Sequence, residues 1–163
     1  MAVIMGLDPG MARTGYGLLE VSGSNYRVVA YDCIHTPAAS PEAARLEILY
    51  RELTALLERY RPQDVAVEQL FINRNTSTVV PVGQARGVAL LAARQAGAAV
   101  VEYTPSQVKL GLTGAGRAGK KQVQYMVRTI LGLTETLRPD DVADALAVAI
   151  CHCHHRGWRR FNG

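Results

Sequence analysis

Short apolar runs alternate with amphipathic stretches along this chain. Residues 3–7 are apolar throughout and stop at Asp8-Pro9-Gly10, which predicts a buried strand ended by a turn. Residues 14–21 (TGYGLLEV) and 26–36 (YRVVAYDCIHT) are β-rich and separated by Ser22-Gly23-Ser24-Asn25, the pattern of a hairpin. Ser40-Pro41-Glu42 predicts a helix start, with Ser40 as the cap and Pro41 at the first helical position. Leu46, Leu49, Leu53, Leu56 and Tyr60 then recur at steps of three and four, an amphipathic helix that ends before Pro62. Residues 64–69 (DVAVEQ) predict a strand parallel to the first, because the intervening helix supplies the crossover. A long helix over 78–96 tolerates Pro81 only within its first turn. Residues 99–103 (AVVEY) predict a fifth strand, 113–121 (TGAGRAGKK) a flexible basic loop, and 121–131 and 140–154 two further helices. The last residues, RGWRRFNG, are expected to be loose.

Strands first, then strands alternating with helices, point to an α/β fold: one five-stranded mixed sheet flanked by helices, with the hairpin on its antiparallel side. The 163 residues suit one domain, taken as 1–155 with a basic tail at 156–163. Hydrophobic residues at 48% against 20% charged exclude a disordered chain. A net charge of +4 permits an anionic partner such as nucleic acid. Three cysteines exclude a disulfide scaffold and favour a reducing cytoplasm. The start MAVIMGLDPG lacks the basic opening of a secretory signal. The most apolar stretch, 88–101, is broken by Arg94 and Gln95, so no membrane span is expected.

Chemistry concentrates in four acids. Asp8 and Glu68 each close an apolar strand, and ligands of such sheets bind at the C-terminal ends of parallel strands. Asp141 and Asp144 are three apart on a helix and share a face. Four gathered carboxylates repel one another, which hard divalent cations relieve. An all-oxygen set suits Mg²⁺ or Mn²⁺, and two such ions support phosphodiester hydrolysis. The plainer roles are a turn residue for Asp8 and helix caps for Asp140 and Asp141; neither explains a Glu amid Val and Ala at position 68.

The segments GLDPGMARTGYG, AVEQLFINRN, GQARGVALLAA, QVQYMV and DDVADALAVAICHCH, in this order and spacing, resemble the RuvC Holliday junction resolvases of RNase H-like fold. The resemblance runs from about residue 3 to 155. It implies that Asp8, Glu68, Asp141 and Asp144 are catalytic and bind two Mg²⁺ per subunit, with Mn²⁺ a plausible substitute. Some members carry a His where Asp141 stands. The resemblance also implies a homodimer on a four-way DNA junction, two symmetric cuts leaving 5′-phosphate and 3′-hydroxyl ends, and a RuvA–RuvB branch-migration complex as partner.

Around the acids, Phe71 is a candidate ring for stacking on a base, with a core position as the alternative, and Arg74 for holding a phosphate. Lys109, Arg117, Lys120 and Lys121 flank the glycine loop and read as a grip on DNA backbone; the resemblance matches Lys109 and Lys120 to basic residues near the scissile phosphate. The loop is not a P-loop, since no strand leads directly into it and Lys121 stands where Ser or Thr is required. Cys151-His152-Cys153-His154-His155 lacks zinc-site spacing. Gly83, Gly87 and several alanines of the long helix permit close helix approach, either to the sheet or to a second subunit, as the family implies. Alternatives are another RNase H-like nuclease acting on structured RNA, a sugar-kinase-type phosphotransferase, which needs a second such domain, and an inactive junction-binding module.

Overall fold

In the computed structural model, which describes residues 1–70 and 76–162, the apolar runs become strands β1 (Ala2–Asp8), β2 (Arg13–Ser22), β3 (Asn25–His35), β4 (Asp64–Glu68) and β5 (Ala99–Tyr103). They form one sheet in the order β3-β2-β1-β4-β5. The first three strands are antiparallel, whereas β4 runs parallel to β1 and β5 to β4. Helix α1 (Glu42–Tyr60) connects β3 to β4, and α2 (Val79–Gln95) follows β4 and leads into β5. Helices α3 (Pro105–Thr113), α4 (Lys120–Leu131) and α5 (Asp140–Asn162) complete the chain. This is the five-stranded mixed α/β sheet expected from the pattern, and it agrees with the RNase H-like fold that the resemblance implies.

Successive side chains of a strand point to opposite faces, and the burial follows that period. On one face, Met5, Leu7, Val65 and Val67 pack with Leu49, Leu53 and Leu57 of α1 and Ala85, Ala89, Ala92 and Ala93 of α2. On the other, Ile4 and Ala66 pack with Val142, Leu146, Ala149 and Ile150 of α5, backed by Val108 and Leu112 of α3 and Val127 of α4. Helix α5 lies directly on the strands because side chains are missing beneath it. A Cβ at Gly6 would sit 1.9 Å from the Ala145 carbonyl oxygen, and one at Gly15 2.1 Å from that of Asp141.

Three details differ from the sequence expectation. Residues 105–113, given no element, form α3: Thr104 accepts from the Gln107 N–H, Gln107 reciprocates to the Thr104 N–H, and Pro105 opens the helix. The glycine loop shrinks accordingly to the connection between α3 and α4. At α1 the cap residue is Pro41 rather than Ser40, with no side-chain capping bond. The segment expected to be loose continues α5 as far as Asn162. Its first residue, Arg156, is pinned by Asp64 Oδ2 at 3.2 Å and donates to Gln63 Oε1 at 3.0 Å. Pro81 does lie in the first turn of α2.

Gly6→Ala should cost about 1–3 kcal/mol or more, because backbone rather than a flexible side chain blocks the new methyl. Urea denaturation measures it; a neutral result would mean that α5 can lift from β1 freely.

Candidate active site

Asp8 shares the strand face of Ile4 and Gly6, and Glu68 that of Ala66, so both carboxylates stand on the α5 side. Leu7 is registered with Val67 across the parallel pair, which sets the two following acids side by side at the strand ends. The close contact of α5 with Gly6 and Gly15 brings Asp141 and Asp144 to the same place.

Asp8 stands close enough to Asp141 and Asp144 for their charges to act on it. Burial, then the negative charges of Asp144, Asp141 and Glu68, push the Asp8 carboxyl up to about 8. Burial is also the first cause that raises Glu68 and Asp144, with neighbouring acids adding to it and Lys109 and Lys120 respectively opposing it. Asp141 is paired elsewhere: Arg13 Nε lies 3.2 Å from its Oδ2, an atom that is buried and has no hydrogen bond of good geometry.

Asp8, Glu68 and Asp144 line a cleft of about 360 Å³ together with Lys109, Lys120 and Arg86. Lys109 is delivered by α3, the helix the pattern missed. Lys120 starts α4 and bonds Asp140 at 2.9 Å, which, with Asp144 and Asp141 nearby, raises its proton affinity. Lys121 faces a neighbouring groove with Gln124 and Arg128, and Arg117 is exposed on the connection to α4. Phe71 and Arg74 lie outside the described residues. The histidines of α5 go to separate partners: His152 to Asp64 and Tyr103, His154 to the Gly111 carbonyl, His155 to the Cys151 carbonyl.

Two arginines escaped the sequence reading. Arg86, only 12% exposed, donates to the Glu68 carbonyl and to Glu102 Oε1 at 2.8 Å, holding the end of β4 from α2. The GQARG segment carried that signal, read only as part of a resemblance. Arg13 lies in GLDPGMARTGYG, a segment of the same resemblance, but carried no signal of its own, since the first residue after a turn is ordinarily solvated.

Among the described residues, no three acidic, His or Cys side chains are already closed into a metal cage. The donor chemistry nonetheless fits a hard cation. The candidate donors are all carboxylates, and burial first, then neighbouring acids, raises the proton affinities of Asp8, Glu68 and Asp144.

These shifts link stability to pH. Asp8 titrates at 3.8 in the unfolded chain and at about 8 in the fold, so the folded state holds more protons in between. The associated stability is full below that interval and is lost as the pH rises through it. Metal-free protein should therefore melt at lower temperature near pH 8 than near pH 5, and Asp8→Asn should shrink the difference. Divalent cation should restore stability most at the alkaline end, where the ligands are deprotonated. Thermal melts with chelator and with Mg²⁺ decide it; an unchanged pH dependence in the variant would refute the coupling.

The family described as Crossover junction endodeoxyribonuclease RuvC matches residues 4–152. A crossover junction endodeoxyribonuclease RuvC from Pelotomaculum thermopropionicum is 58% identical, covering 97% of this chain and 96% of the relative. One from Heliobacterium modesticaldum is 56% identical, with 96% of each covered. Among solved structures, Thermus thermophilus RuvC in complex with Holliday junction substrate superposes with a TM-score of 0.91 at 38% identity, covering 98% of this chain and 97% of that one. The yeast mitochondrial resolvase Ydc2, at 11% identity and a TM-score of 0.69, shares the fold. A chain matched over nearly its whole length by such relatives belongs to the RuvC family of crossover junction endodeoxyribonucleases.

Proposed function

We propose that this cleft resolves four-way (Holliday) DNA junctions in recombination and repair. It hydrolyses two phosphodiesters symmetrically and leaves 5′-phosphate and 3′-hydroxyl ends. The observation that carries the reading is the gathering of Asp8, Glu68 and Asp144 at one end of the sheet, with Lys109 and Lys120 in the same cleft. Asp8, Glu68, Asp141 and Asp144 would hold two Mg²⁺, with Mn²⁺ an acceptable substitute. Bound there, such ions activate water and stabilise the departing oxygen of an in-line displacement. Lys109 and Lys120 hold the scissile phosphate and balance charge that develops on it. Arg86 keeps Glu68 at its place on the strand end. Arg117 and Lys121 grip flanking backbone, as Arg74 would; Phe71 would stack on an unpaired base.

Two symmetric cuts call for two sites related by a two-fold axis. Helix α2 supports a homodimer: its alanines are spent on the sheet, yet Val80 and Leu91 stand 63% and 53% exposed, with Gly87 bare between them. Branch migration by RuvA–RuvB would bring the junction to this dimer in the cytoplasm.

Asp8→Asn should lower cleavage of a synthetic four-way junction by more than roughly 10³-fold while leaving binding nearly intact, and Lys120→Ala should slow it by about 10²-fold. Parallel reactions with Mg²⁺, Mn²⁺ and chelator, and with structured RNA as competing substrate, test the assignment. Preferred RNA cleavage, or wild-type rates in Asp8→Asn, would refute it. Leu91→Glu should shift the species seen in sedimentation from dimer to monomer; an unchanged dimer would move the interface elsewhere.

A further inference from the structure

We infer that Arg13 is a phosphate-binding residue beside the acidic site that rests on Asp141 and exchanges that partner for DNA when a divalent cation takes the carboxylate. The inference rests on the reading of the acids given above.

Arg13 is the first residue of β2, just past the turn that ends β1. That turn is tied across its base: Thr14 Oγ1 donates to the Gly10 carbonyl at 3.0 Å and accepts from the Gly10 N–H at 3.2 Å. The Arg13 backbone is thus held at the rim of the site, while its side chain remains 52% exposed. Among the described residues, the only ion pair of Arg13 is with Asp141, through Nε. The remaining N–H groups of the guanidinium form a fork suited to a phosphate.

Asp141 is poorly served by this pair. Its Oδ2 is buried and lacks a hydrogen bond of good geometry, so the attraction is charge alone. A divalent cation at Asp141 would outbid the guanidinium and also repel it. Arg13 then needs a new anion, and the incoming DNA strand carries one. On the described structure Lys109 and Lys120, from α3 and α4, supply positive charge in the cleft, and Arg13 supplies it from β2. A polyanion crossing an acidic floor gains from cations contributed by both the helical and the strand side.

The exchange makes a reciprocal coupling. Without DNA, Arg13 competes with metal; with DNA, metal frees Arg13 to bind phosphate. Arg13→Gln should therefore bind Mn²⁺ more tightly in the absence of DNA, by roughly fivefold in a calorimetric titration. The same variant should lose about one unit from the slope of log junction affinity against log salt. That measurement uses Ca²⁺, whose larger, looser coordination sphere disfavours in-line chemistry. Arg13→Lys should retain most of the slope. Circular dichroism shows that the variants are folded. Mn²⁺ affinity that falls or stays unchanged in Arg13→Gln, or an unchanged salt slope, overturns the inference. Failure of the underlying reading looks different: wild-type protein would not bind Mn²⁺, or Asp8→Asn would bind it as wild type does.

Discussion

The site depends on how closely α5 lies to β1 and β2. Side chains on neighbouring elements normally hold a helix backbone away from a sheet, but here Gly6 and Gly15 leave the helix backbone against the strands. That approach brings the first turn of α5 to the end of β1, so three of the four acids meet where β1 stops. The arrangement is electrostatically unfavourable, as the raised proton affinity of Asp8 records. What holds it is the rest of the same helix. Leu146, Val148 and Ile150 are essentially inaccessible to solvent, and each such burial is worth about 1.5–3 kcal/mol. The apolar length of α5 thus offsets the repulsion at its beginning.

Charge is arranged in layers around that strained floor. The acids occupy the strand ends, while the cations that answer them come from separate elements: Lys109 from α3, Lys120 from α4, Arg13 from β2 and Arg86 from α2. Only Arg86 is largely buried, and it bonds a carbonyl and a surface acid rather than the clustered carboxylates. The cations able to reach a substrate keep at least partial exposure. Little desolvation cost would therefore oppose the phosphate contacts proposed for them.

Much of this was legible because the relevant signals are local. All five strands announced themselves by period and by turn residues, and a strand-ending Asp or Glu needs an explanation that neither cap nor turn provides for Glu68. Helix α3 went unassigned although Thr104-Pro105-Ser106-Gln107 spells a capping box with proline at the first position. The end of α5 was not legible. Its continuation depends on Arg156 reaching Asp64 and Gln63, some ninety positions earlier in the chain, and no local pattern encodes that. The same holds for Arg13, whose meaning comes only from the helix that β1 and β2 receive.

Asp64 also explains why α5 cannot slide along its groove. His152 lies two turns beyond Asp144, and burial lowers its proton affinity, so the ring is neutral. A carboxylate can only accept, so Nε2 carries the proton and donates to Asp64 Oδ2 at 3.0 Å. Nδ1 is then the acceptor for the Tyr103 hydroxyl, 2.7 Å away. Arg156 adds its own contact to the same Asp64 oxygen. A shift of α5 by one residue is about 1.5 Å along its axis, enough to break the two hydrogen bonds and the ion pair while the apolar contacts merely re-form with other partners. Hydrophobic burial presses the helix onto the sheet without choosing its register; the buried polar contacts choose it. Because Tyr103 is paired with Glu68 across β4 and β5, the register they choose is measured from the strand end that carries a carboxylate of the cleft.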